Sequence, residues 1–86
     1  MKLTPAQRRT WRAAMEEWAE GAPMIRTRAV ARRLGITSMS WTHGPLDAMR
    51  DGGIIARPGD ARGYVPVPGV AVGSDGQVYR LLEIAP

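Results

Sequence analysis

The stretch GITSMSWTHGPLDAMRDGGII, residues 35–55, decides how the chain folds. Its second half reads as a helix: Leu46 and Met49 share one face, Asp47, Arg50 and Asp51 lie outward, and Gly52-Gly53 stops it. Gly44-Pro45 is the difficulty. A helix begun at Ser38 places Pro45 in its interior, where the ring removes the bond to the Trp41 carbonyl and clashes with it. That costs about 3 kcal/mol or more. Proline also biases the preceding Gly44 away from α geometry. A later start, with Thr42 as N-cap and His43, Gly44 and Pro45 as the first helical residues, removes most of this penalty. Those N–H groups have no intrahelical partner in any case. The expectation is a short helix over about 43–52, preceded by an irregular SMSW segment.

Two helices are expected upstream. Thr4, Pro5 and Gln7 form a capping box with proline at the first helical position. Trp11, Ala14, Met15, Trp18 and Ala22 follow at helical spacing as one buried stripe, and Gly21 and Pro23 end it. Two tryptophans on one face could stack a ligand, but a chain without phenylalanine needs them to fill its core. A shorter helix follows, capped by Thr27, with Val30, Ala31 and Leu34 inward, Arg28, Arg32 and Arg33 outward, and Gly35 at the left-handed C′ position. Ile36 returns to the core.

Downstream, residues 54–57 and 64–67 read as strands around the turn Pro58-Gly59-Asp60-Ala61-Arg62-Gly63. Residues 70–72 and 77–82 flank Gly73-Ser74-Asp75-Gly76, a second hairpin signal. An isolated hairpin is marginal in water. This one must dock on the domain, pair with another copy, or stay partly mobile. The expected class is mainly α with a β-wing: three helices plus a β-hairpin, the order of a winged helix-turn-helix, with an extra C-terminal β-hairpin. Residues 1–67 would form the winged domain and residues 68–86 the docked or dimerising tail.

Composition narrows the function. The 86 residues suit one domain, and no apolar run approaches the roughly 18 residues of a membrane span. The N-terminus lacks the apolar core of a signal peptide, so a soluble cytoplasmic protein is expected. The net charge of +4 is unevenly spread. Residues 1–36 hold eight basic against three acidic residues, a net of +5, and residues 37–86 hold four against five, a net of −1. Eleven of the twelve basic residues are arginine, whose planar fork suits phosphates and guanine edges. A coding bias toward arginine could explain the type, but less easily the clustering. One histidine, no cysteine and scattered carboxylates offer neither a nucleophile with its base nor a metal site. The segments GDARG and GSDG lack the lysine and hydroxyl of a phosphate loop. No enzymatic activity, cofactor, metal or small-molecule substrate is expected.

LTPAQRR at 3–9, TRAVARRLGITS at 27–38 and LDAMRDGGI at 46–54 resemble the DNA-binding domain of LexA-type repressors. The resemblance spans roughly residues 3–67 and carries the winged fold with it. It implies a sequence-specific regulator of double-stranded DNA, a repressor, and the small size suits a phage or mobile element. The family's second, self-cleaving domain has no counterpart here. The only lysine is Lys2, so no later lysine can activate a serine. The family's dimer also rests largely on that domain, and residues 69–84 would have to pair two copies instead.

The resemblance places base contacts at Ser38, Ser40, Trp41, His43 and Gly44, the last beside the proline. Phosphates would be met by Thr27, Arg28, Arg32 and Arg33, and flanking DNA by Arg57 and Arg62 of the wing. Plainer roles stand beside these. The arginines of the second helix can be a solvated face, Trp41 can tuck into the core, and His43 can be a simple surface residue. Arg57 and Arg62 can merely keep the hairpin soluble. The rival function is a winged helix used as a protein-interaction module, a phage assembly protein or antirepressor that no longer reads DNA. The interrupted helix and the acidic Asp47 and Asp51 favour that rival.

Overall fold

The computed structural model describes residues 1–38, 40–59 and 62–80, with the backbone alone at Ser40. Three helices pack together and two antiparallel hairpins follow. Helix α1 spans Pro5–Ala19. The Gln7 N–H donates to Thr4 Oγ1 at 3.1 Å, and the Thr4 N–H donates to Gln7 Oε1 at 2.9 Å, so the capping box forms as expected. The buried face differs from the expected stripe. Thr10, Ala13 and Ala14 are buried, Trp11 and Met15 are half-buried, and Trp18 is 40% exposed. Small residues let α2 and α3 come close to α1, and the tryptophan one turn beyond Ala14 is left at the margin.

Helix α2 spans Thr27–Leu34. Arg26, not Thr27, is its N-cap, and no side chain caps it. Thr27 sits one residue inside and is buried, so its hydroxyl is drawn into the packing and away from the cap. Gly35 ends the helix at φ 71°, as expected of a left-handed cap, and the Ile36 N–H closes the turn on the Ala31 carbonyl at 2.9 Å.

Helix α3 corrects the reading of the opening stretch. It spans Ser40–Asp51 and contains Pro45, so Thr42 is not its N-cap and the helix does not wait until residue 43. Thr42 lies inside, fully buried, and its hydroxyl has no hydrogen-bond partner among the described residues. The reason is tertiary. Leu46 and Met49 are both fully buried beside Thr42 on the same face. At roughly 1.5–3 kcal/mol for each large apolar side chain, they offset a proline cost of about 3 kcal/mol. The expected boundary weighed the proline without this burial.

Strands β1 (Ile55–Ala56) and β2 (Val65–Pro66) form the wing, with Ile55 opposite Pro66 and Ala56 opposite Val65. Both are shorter than the expected four residues. Asp60 and Ala61 of the turn lie outside the described residues. A further tie has no local signal. Ile25 and Tyr64 exchange two backbone hydrogen bonds of 2.8 Å, which joins the loop before α2 to the base of the wing.

Strands β3 (Val70–Val72) and β4 (Val78–Arg80) form the second hairpin, paired Val70 to Arg80 and Val72 to Val78. The expected strand over 77–82 runs on into Leu81 and Leu82, which lie outside the described residues. The hairpin is docked. The Leu3 N–H donates to the Gly76 carbonyl at 2.8 Å and the Val78 N–H to the Met1 carbonyl at 3.0 Å. Val70, Val72 and Val78 pack on the core, and Arg80 donates to the Gly52 and Gly53 carbonyls at the end of α3.

Gly76 fixes that docking. Its φ is +89°, and an added Cβ would stand 2.6 Å from the Leu3 carbonyl oxygen. Gly76→Ala is expected to destabilise the chain by about 1–3 kcal/mol. Thermal melting measures the loss, and faster amide exchange at Leu3 and Val78 would place it at this contact. Unchanged exchange there would mean the hairpin does not depend on the close approach.

Candidate nucleic-acid interface

The first turn of α2, the exposed side of α3 and the tip of the wing meet at a groove of about 420 Å³. Arg26, Thr27 and Arg28 come from α2, His43 from α3, and Arg62 from the wing. Among the described residues, no carboxylate lines it. Among the described residues, the side chains of Arg26, Arg28, His43 and Arg62 have no hydrogen bond or ion pair. Three guanidinium groups facing one hollow, with no counter-charge among the described residues lining it, raise the local positive potential and concentrate anions there. The unpaired N–H groups at the start of α2 add a partial positive charge of the same sign. The chemistry this arrangement supports is the seating of phosphate oxygens by charge-assisted hydrogen bonds.

The expected phosphate set is divided. Thr27 and Arg28 lie in the groove, but Arg32 lines a separate hollow of about 180 Å³ with Glu17, Ala29 and Arg33. Arg33 is engaged elsewhere. Its guanidinium bridges to Glu16 at 3.1 Å, to Glu20 at 2.7 Å and to Glu17, pinning α2 to α1. The hydrogen bond from Arg33, then its charge, holds the Glu20 carboxyl below the ordinary range. The same bonds to Glu20 and Glu17 push the Arg33 guanidinium further up. A guanidinium with three carboxylates around it is a poor phosphate ligand.

Arg26 was not among the phosphate contacts expected from the sequence. The signal was its adjacency to Thr27: a residue at the N-cap shares the helix mouth with the next two.

The expected base contacts are also parted. Trp41 and His43 are two residues apart on a helix, roughly 200° around the axis, and they face different grooves. Ser38 and Trp41 line a hollow against α1, and His43 lines the basic groove. Trp41 is 74% exposed, so it is a surface residue and no part of the core. The Ser40 side chain lies outside the described residues. Gly44 is helical, and a Cβ added there would meet nothing within 4 Å.

The wing arginines differ from each other. Arg62 reaches the groove, whereas Arg57 lies 5.2 Å above the Tyr64 ring in a cation–π contact. The two aspartates of α3 are answered locally. Asp47 accepts from the Tyr64 hydroxyl at 3.0 Å and pairs with Arg50 at 3.4 Å, and Asp51 pairs with Arg50 at 3.4 Å. They therefore oppose an anion at α3 less than their bare charge suggests.

Among the described residues, no group of three His, Asp or Glu side chains could hold a metal ion, and no helix is long and apolar enough to cross a membrane. Compared with protein-family models, curated proteins and solved structures, the chain matches none.

Proposed function

We propose that this chain is a sequence-specific regulator that binds double-stranded DNA, related to the DNA-binding domain of LexA-type repressors. The α3 helix lies in the major groove and the β1–β2 wing rests on the flanking backbone. The observation that carries this reading is the groove where Arg26, Arg28 and Arg62 meet from two elements beside His43 of a third, with no carboxylate among its described lining residues. A polyanion crossing the chain there is held at three points, which sets its register against α3. Base discrimination falls to His43 on the flank of α3 that faces this groove, with Gly44 letting the helix backbone approach closely beside it.

A second copy of the chain would supply a second half-site. If residues 69–84 pair the copies, the pairing uses the outward Ala71 and Tyr79, because Val70, Val72 and Val78 are taken up by the core. The rival reading, a winged helix that binds protein and not DNA, is favoured by Pro45 inside α3.

The test is binding of a labelled mixed-sequence duplex across a salt series. Each neutralised phosphate contributes about −0.9 to the slope of log affinity against log salt, so three arginines predict a slope of roughly −3. A flat slope, or no binding at low salt, overturns the reading in favour of the rival. Selection of a preferred site from random duplexes then tests specificity.

A further inference from the structure

A second groove, of about 650 Å³, runs along the other flank of α3. It is walled by Ala6 and Arg9 of α1, Leu34 and Ile36 at the turn between α2 and α3, and Trp41 and Pro45 of α3. It shares no lining residue with the basic groove. Its character is different. Most of its walls are apolar, and it carries one cation where the basic groove carries three. The Arg9 side chain has no hydrogen bond or ion pair among the described residues. Trp41 is 74% exposed, although it is one of the largest apolar side chains in the chain. Pro45 adds its ring to the wall and withholds from the Trp41 carbonyl the donor that any other residue would supply.

These features select an occupant. A nucleic acid backbone presents a row of charges and is met by several cations, as in the basic groove. One unpaired guanidinium beside an apolar slot instead complements a single carboxylate next to a large apolar side chain. Tryptophan and arginine are also the residue types that most often dominate protein interfaces. We propose that this groove docks a protein partner through an amphipathic acidic segment. A large apolar side chain of that segment sits between Ile36, Trp41 and Pro45, and an Asp or Glu carboxylate meets Arg9. The proposal stands apart from DNA binding, and the two grooves can be filled together.

The test uses the full chain as bait for random peptides displayed on phage, in the absence of DNA. Enriched peptides are expected to share a large apolar residue near an Asp or Glu. Their affinity should fall at least about tenfold on Trp41→Ala and on Arg9→Glu. Peptides with Lys in place of the acid should recover binding to the Arg9→Glu chain, which a merely structural role for Arg9 would not produce. Both side chains are exposed, so circular dichroism should show both variants folded. Four results overturn the proposal. They are no enrichment, enriched peptides indifferent to Arg9→Glu, a dimer of the chain that Trp41→Ala dissolves, and protection of Arg9 and Trp41 by duplex DNA alone. A chain that binds such peptides and ignores DNA leaves this inference standing while the DNA reading falls.

Discussion

Tyr64→Ala is expected to leave much of the chain unfolded at room temperature. Tyr64 is fully buried and is the largest side chain in the core to be so. Removing an aromatic ring from a packed core costs about 3–5 kcal/mol. A domain of 86 residues has about 4–13 kcal/mol in total, so the loss consumes a large share of it. The position is also where three parts of the fold are joined. The Tyr64 backbone pairs with Ile25 before α2, its hydroxyl meets Asp47 on α3, and its ring lies under Arg57 of the wing. Denaturant unfolding measures the effect. A midpoint close to that of the unsubstituted chain would mean the wing is not part of the cooperative unit.

Tyr64→Phe separates the ring from its hydroxyl. The ring stays, and Asp47 keeps Arg50 and some access to water, so the cost falls to about 1–2 kcal/mol. The same hydroxyl carries a pH dependence. Burial, then the hydrogen bond to the Asp47 carboxylate, pushes the Tyr64 phenol above its ordinary 10.0. A raised value in the folded state means that the neutral phenol's contribution is intact below pH 10. It is lost as the pH rises from there through the folded value. Melting temperature should therefore fall as the pH rises above about 10, and less steeply for Tyr64→Phe. An equal fall in the two chains would place the alkaline loss elsewhere.

What the sequence made legible was whatever the chain decides over a few residues. Thr4 and Gln7 cap each other across one turn, Gly35 takes its left-handed angle, and each hairpin turns where glycine marks it. These outcomes depend on local geometry that a few neighbours settle. The misplaced start of α3 shows the limit of such reasoning. Local rules put the cost of Pro45 correctly, but its remedy lay in Thr42, Leu46 and Met49 packing against other helices, which no neighbour of Pro45 announces. The candidate site divides the same way. Clustering of arginine in the first half of the chain was visible, as was the helix mouth at Thr27. Arg33 has no local acidic neighbour, and its partners lie 13 to 17 residues earlier on another helix. Nothing in the spacing of Arg28, Arg32 and Arg33 distinguished the one that faces the groove from the one held by glutamates.

That difference sets up the sharpest comparison between variants. Arg26→Ala with Arg28→Ala, and Arg32→Ala with Arg33→Ala, each remove two positive charges from the same end of the chain. If only the overall field attracts DNA, the two pairs weaken binding equally. If the groove seats phosphates, they do not. The first pair removes two unpaired guanidinium groups from the hollow shared with His43 and Arg62. Its duplex affinity should fall by about 30- to 100-fold at moderate salt, and the salt slope should become shallower by about two. The second pair removes one arginine already held by Glu16, Glu17 and Glu20 and one outside the groove. Its affinity should stay within about threefold, although the released glutamates make this end of the chain no less acidic. Its stability should drop modestly, because the tie between α1 and α2 is cut. Fluorescence anisotropy of a labelled duplex across a salt series reads both quantities. Equal losses from the two pairs would remove the groove as the contact and leave a diffuse electrostatic attraction. A loss confined to the second pair would move the DNA to the α1 side of α2, where three glutamates would have to be displaced to admit it.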